Sequence, residues 1–160
     1  MENIDYKLLA SQAEAFAQGV SSREEALAAL CNITALIHQQ MSRVSWAGFY
    51  FAKEKVLYLG PFQGKVACTP IPFGKGVCGT CAETGTSQIV KDVTQFPGHI
   101  ACDSASRSEL VLPMRDADGT TVGVLDLDST ELARFSEEDA KGLEGLASTA
   151  GRLTGIFMQA

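Results

Sequence analysis

Residues 43–62 read RVSWAGFYFAKEKVLYLGPF, and the fold class turns on them. The stretch is rich in aromatic and β-branched residues, which favour a pleated, half-buried surface. Side chains alternate across a strand, so Trp46, Gly48 and Tyr50 share one face and Ala47, Phe49 and Phe51 the other. The KEK segment can turn, and VLYLGPF can return as the second strand of a hairpin. Both faces carry apolar residues, so the sheet is expected to be covered on both sides. A second hairpin follows from ELVLPMR, the turn DADG and TTVGVLDLDS, residues 109–129.

Helical periodicity flanks these strands. In DYKLLASQAEAFAQG, Leu8, Leu9, Ala13, Phe16 and Ala17 recur at close to the helical period, with Gly19 as a stop. In the next helix, Ser22 and Glu25 have the form of a capping box. Ala26, Leu27, Leu30, Thr34 and Ile37 are placed on one face there, and Cys31 is read as a small core residue. His38 is read as a surface residue of the same helix. Residues 135–159 are expected to form one C-terminal helix, with Ser136 as N-cap and acids in its first turn. Between the hairpins lie a short extended piece broken by Pro70 and Pro72, a short helix closed by Gly85, and a brief strand in SQIVKDV. A long polar loop around residues 94–108 follows, with a helical turn near Asp103. Strands joined by hairpins and helices at both chain ends give an α+β domain with a mainly antiparallel sheet. The terminal helices pack on one face; the Cys-bearing loops cover the other and leave a ligand pocket beneath them.

The chain has 160 residues, 46% hydrophobic and 20% charged, which fits one domain with one core. Its net charge of −6 and pI of about 4.9 disfavour nucleic-acid binding and docking on an anionic membrane. The N-terminal residues lack a signal-peptide pattern, and no apolar run reaches the length of a membrane span. The expected location is the cytoplasm, where close-set cysteines point to metal or redox chemistry more than to structural disulfides.

Five cysteines bear on function. Cys78 and Cys81 form a C-x-x-C, and Cys68 and Cys102 could complete four zinc ligands. A second close pair is missing, and Cys78–Cys81 falls in a helix, so zinc is the weaker reading. A thioredoxin-like role for the pair lacks its βαβ setting. Redox chemistry needs an accessible nucleophilic thiol and a second thiol on a movable segment. Cys68 and Cys102 lie on Gly-, Pro- and Ser-containing loops, which favours this reading without excluding the others. His99, three residues before Cys102, could activate a thiolate but reads better as structuring its loop.

The segments SWAGFY, LGPFQGKVAC, GKGVCGT, GHIACD, SELVLP and GVLDLDS occur in that order. Together they resemble the free methionine-(R)-sulfoxide reductases, a family built on a GAF domain. The resemblance runs from Trp46 to RFSEED before the last helix, and GAF domains in general share neither these cysteines nor GHIACDSAS. It implies a single GAF domain over residues 1–160. It further implies a thiol-dependent oxidoreductase that reduces free L-methionine (R)-S-oxide to L-methionine, with no metal and no organic cofactor. The resemblance makes Cys102 the nucleophile that becomes a sulfenic acid, Cys68 the resolving thiol, and Cys78 a third, secondary thiol. Cys81 lies outside the family pattern. Trp46, Tyr50, Glu109, Asp126 and Asp128 become the substrate pocket, and thioredoxin the reductant of the resulting disulfide. A homodimer is consistent with the family, with the apolar LTGIFM tail contributing.

The residues read on their own agree with this site. Trp46 and Tyr50 can wall one pocket with ring faces suited to a polarised sulfur and its methyl. Asp126 and Asp128 share a strand face amid Val and Leu, a costly arrangement if buried without partners. They would suit an ammonium group, and a buried acid among them could hold a proton for a sulfoxide oxygen. Two other function classes fit the same fold: a non-catalytic small-molecule sensor and a zinc-stabilised interaction module.

Overall fold

The computed structural model describes residues 3–100 and 102–159. Helices α1 (Tyr6–Ala17) and α2 (Arg23–Gln40) lead into strands β1 (Trp46–Lys53), β2 (Val56–Gln63) and β3 (Ile71–Pro72). Helix α3 (Gly76–Thr84), strand β4 (Gln88–Val90) and a 3₁₀ turn (Val93–Gln95) come next. Strands β5 (Ser108–Arg115) and β6 (Thr121–Ser129) and helices α4 (Glu137–Gly142) and α5 (Glu144–Met158) complete the chain. The six strands form one sheet in the order β3-β2-β1-β6-β5-β4, with every neighbouring pair antiparallel. Both anticipated hairpins, β1–β2 and β5–β6, are present, and β1 and β6 join them at the centre.

The two faces of β1 divide the interior as the alternation predicts. Ala47, Phe49 and Phe51 belong to the larger core, packed under α1, α2 and α5 with Leu110, Leu112, Leu125 and Leu127. Trp46 and Tyr50 belong to a second cluster on the opposite face, with Val111, Val124 and α3. The sheet is thus covered on both sides, by terminal helices on one and by α3 and the loops on the other.

Local chemistry sets the helix ends. Ser22 Oγ accepts from Glu25 N at 3.1 Å while Glu25 returns the bond to Ser22 N, also at 3.1 Å. Such a cap contributes about 1 kcal/mol. Helix α3 ends on Gly85 in the left-handed region (φ 69°), where its N–H reaches Cys81 O. Among the described residues, no helix is long and apolar enough to cross a membrane.

The structure corrects four expectations. Cys31 is exposed, not core: the buried face of α2 is Ala26, Ala29, Leu30, Ile33, Thr34, Leu36 and Ile37. Leu27 lies on the outer side too, as do Leu8 and Phe16 of α1. Each residue advances a helix by about 100°, so a one-position offset moves a side chain off the buried face. The C-terminal helix is two helices, α4 and α5, meeting at fully buried Leu143. Tyr6 packs against Gly142, where an added Cβ would lie 2.3 Å from its ring. Near Asp103 there is a hydrogen-bonded turn (Ser106 N to Asp103 O, 3.1 Å) and no helix.

Asp139 ties α4 to the rest of the fold. Its carboxylate caps the helix with Ser136, accepts from Tyr6 Oη, and pairs with Arg134 at 3.4 Å, both side chains being almost fully buried. Removing one partner of a buried ion pair leaves an uncompensated charge. Asp139→Ala is therefore expected to destabilise the protein by about 3 kcal/mol. The readout is a lower urea midpoint at unchanged m-value.

Candidate active site

Strand register builds the site. Trp46 pairs with Asp128, which pairs with Glu109, so one row across β1, β6 and β5 carries all three side chains. In the next row Gly48 faces Asp126, which faces Val111. Tyr50 follows two residues on, beside Val124. The absence of a side chain at Gly48 lets the Trp46 ring fold over it, where a Cβ would sit 2.7 Å from Trp46 Cη2. The Trp46 and Tyr50 rings stack at 6.0 Å, and Phe62 backs Trp46 at 5.2 Å.

The polar tips of these aromatics hold the cysteine loop. Trp46 Nε1 donates to Lys65 O at 2.9 Å, and Tyr50 Oη donates to Cys68 O at 3.0 Å. Each ring therefore presents its apolar body to the pocket while anchoring the segment that carries Cys68. That segment is also joined by a disulfide from Cys68 to Cys102, which spans 34 residues with Cα atoms 5.5 Å apart. Cys102 is exposed and Cys68 half-buried. The two loops roof a pocket of about 630 Å³, open mouth included. Trp46, Tyr50, Cys78, Cys102, Glu109, Asp126 and Asp128 all line it. Cys68 lies behind Cys102, bonded to it but outside the lining.

The pocket floor is acidic and largely buried. Glu109 and Asp126 are buried, and Asp128 is half-buried at the side. Burial first, then repulsion from Asp126 and Asp128, pushes Glu109 well above the usual carboxylate range, which favours its protonated form. Asp128 is also pushed well up, by burial and then by Asp126. Burial raises Asp126 as well, but hydrogen bonds from Glu109 and Cys78 oppose the rise. Asp126 is thus the member of the trio that best keeps a negative charge.

Cys78 belongs to this network. Its Sγ lies 3.8 Å from Glu109 Oε2, and burial and the surrounding acids push its thiol far up. It is a protonated S–H donor on the pocket wall. Cys81, one turn further along α3, is buried with Sγ 3.8 Å from Val111 O, and its thiol is pushed up to about 12, chiefly by burial. The C-x-x-C therefore splits: Cys78 lines the pocket and Cys81 packs behind it. With Cys68 and Cys102 joined to each other, the four cysteines do not converge on one tetrahedral centre. His99 is half-buried at the rim, and burial lowers its pKa, which keeps the ring neutral.

One contributor escaped the sequence reading. Lys75, Gly76, Val77 and Cys78, the start of α3, also line the pocket, with Cys78 beside the acids. Lys75 occupies the N-cap without a side-chain cap bond. A helix start carries backbone N–H groups and partial positive charge, a ready anion site. The signal was the glycine-rich FGKG just before a helical segment. The pocket thus combines a helix start with buried carboxyls, a chemistry that suits the two charged ends of a zwitterion.

Comparison with known proteins places these features in context. A family model for the GAF domain matches residues 20–153. The Bacillus subtilis protein YtsP is 51% identical over 91% of this chain and 88% of its own length. The Escherichia coli free methionine-R-sulfoxide reductase is 49% identical over 76% of this chain and 73% of its own. The solved free methionine-R-sulfoxide reductase of Neisseria meningitidis, in complex with its substrate, is 38% identical. It superposes with a TM-score of 0.86, covering 98% of this chain and 95% of that one.

Proposed function

The chain belongs to the free methionine-R-sulfoxide reductases of the GAF domain family, and from that membership we propose that it reduces free methionine-(R)-sulfoxide to methionine at the Cys102 pocket. The observation that carries the reading is the meeting of a disulfide-bonded cysteine with a buried acid whose pKa is pushed upward. Cys102 opens onto the pocket whose floor holds Glu109.

The substrate's α-carboxylate lies at the start of α3 and its ammonium at Asp126, assisted by Asp128. Trp46 and Tyr50 flank the sulfur and its methyl. In the reduced protein, the Cys102 thiolate attacks the sulfoxide sulfur. Glu109 delivers its proton to the oxygen as charge develops there, the task of a general acid. The S–O bond breaks, methionine leaves, and Cys102 carries the oxygen as a sulfenic acid. Cys68 then attacks Cys102 Sγ, water departs, and the Cys68–Cys102 disulfide forms. A dithiol reductant, thioredoxin in this proposal, exchanges with that disulfide and restores both thiols. Cys78 stays a thiol throughout, in keeping with its burial among acids. The residues form a single domain that needs no further cofactor for these steps.

A stoichiometric experiment tests the scheme. Reduced protein mixed with methionine sulfoxide, without any reductant, is expected to release one methionine per chain and lose two titratable thiols. Cys68→Ser is expected to release the same single methionine while leaving Cys102 as a sulfenic acid that dimedone captures. Release of no methionine, or thiol loss that persists in Cys102→Ser, contradicts it.

A further inference from the structure

A donor set different from the four cysteines converges at the pocket floor. Cys78 Sγ, one oxygen of Glu109 and one oxygen of Asp126 lie within 4.8 Å of one another. It is the one such trio found among the described residues. The residues are 5%, 7% and 5% exposed, yet all three line the pocket, so an ion can reach them from solvent. Asp126 Oδ1 is buried there without a hydrogen-bond partner. An acceptor lone pair left so is a standing cost that a cation would remove.

Electrostatics favours such an occupant. Two carboxyls and a thiol crowd within 4.8 Å of one another there, so negative charge on any of them repels charge on the others. A divalent ion offsets that repulsion more fully than a single ammonium. The donor types select the ion class: a thiolate with carboxylates suits Zn²⁺-like, thiophilic cations, whereas Ca²⁺ and Mg²⁺ favour oxygen ligands alone. Three protein ligands leave a fourth position facing the pocket, the pattern of an open zinc site.

We propose that Cys78, Glu109 and Asp126 form a binding site for one thiophilic divalent cation, which occupies the position of the substrate's ammonium and excludes substrate. On binding, Cys78 Sγ and the Glu109 carboxyl release their protons to solvent as the metal–sulfur and metal–oxygen bonds form. No electron is transferred. Binding itself is independent of the reductase reading; only the consequence, inhibition of turnover, rests on it.

The test uses full-length protein with the Cys68–Cys102 disulfide formed, which removes those two thiols from competition. Cd²⁺ is the probe, followed by the ultraviolet thiolate-to-cadmium charge-transfer band. The band is expected to saturate at one Cd²⁺ per chain, and Zn²⁺ is expected to displace it. Cys31→Ser and Cys81→Ser are expected to leave the band unchanged, whereas Cys78→Ser removes it. Asp126→Asn is expected to keep the band but weaken binding by about tenfold or more, the scale on which metal sites respond even to outer-shell losses. A band that survives in Cys78→Ser, disappears in Cys31→Ser, or never saturates overturns the proposal. If Cys78→Ser does not fold, Asp126→Asn and Cys31→Ser decide it alone, since a band indifferent to Asp126 or dependent on Cys31 is incompatible with the site. No turnover occurs in the oxidised protein, so failure here is distinct from failure of the reductase assay.

Discussion

Replacing Cys102 with serine is expected to lower reductant-coupled turnover of free methionine-(R)-sulfoxide by about 10³-fold or more. A hydroxyl at this position is a far weaker nucleophile than a thiolate and cannot form the Cys68 disulfide. Substrate binding should be nearly intact, because Trp46, Tyr50, the acids and the start of α3 are unchanged. The loss thus falls on kcat, with methionine sulfoxide still protecting the pocket in a binding assay. Cys68→Ser should behave differently. Its first turnover proceeds, and only the steady state slows, by an amount that depends on how fast the external reductant reaches the Cys102 sulfenic acid. Turnover of Cys102→Ser at more than a few per cent of the wild-type rate would remove Cys102 from the nucleophile's role.

Glu109→Gln carries the second large effect. The amide keeps the size and some of the hydrogen bonding but has no proton to give, and loss of a general acid costs about 10²–10⁴-fold in rate. In the wild-type protein, activity is expected to fall as pH rises through the elevated folded pKa of Glu109, and this alkaline limb should vanish in the variant. The substitution should change stability in the opposite sense to activity. Glu109 is raised in the folded state above its unfolded value. Its stabilising proton uptake is therefore complete below the unfolded pKa and is lost as pH rises through the folded one. Glutamine does not titrate, so Glu109→Gln should unfold at higher temperature than wild type in alkaline buffer, with the gap narrowing in acid. Thermal unfolding across the pH range reads this directly. A variant both slower and less stable at alkaline pH would mean that folding does not raise the Glu109 pKa.

The alternation in residues 46–51 was legible because a strand's period of two leaves little ambiguity. Trp46 and Tyr50 could be set against Ala47, Phe49 and Phe51 from the sequence, and the structure divides them between its two clusters in that way. The row Trp46–Asp128–Glu109 was not legible from periodicity. It depends on how two hairpins separated by a long loop align, and register between distant strands leaves no local mark. Helical faces were harder still. Cys31 and Leu27 came out on the exposed side of α2 because its apolar residues are broad enough in distribution to admit two phasings. Beside the break at Leu143, Tyr6 packs on Gly142, a contact between opposite ends of the chain that no local pattern marks.

Cys78 illustrates the limit in chemical terms. In the sequence it is one thiol among several, in a motif that invites metal or disulfide readings. Its character follows from burial beside Glu109 and Asp126, which hold it protonated. The place of the α3 start in the pocket was likewise hidden, since it depends on how the helix packs against the sheet. Both features come from neighbours supplied by other strands.

The account stands most directly on selectivity. Reductant-coupled turnover should be measured with separated R and S forms of free methionine sulfoxide and with a peptide-bound form. The proposed binding mode engages both charged ends of a free amino acid and one face of its sulfoxide, so turnover is expected with the free R form alone. Comparable rates with the S form or with the peptide-bound sulfoxide, or no turnover of the free R form, would contradict it.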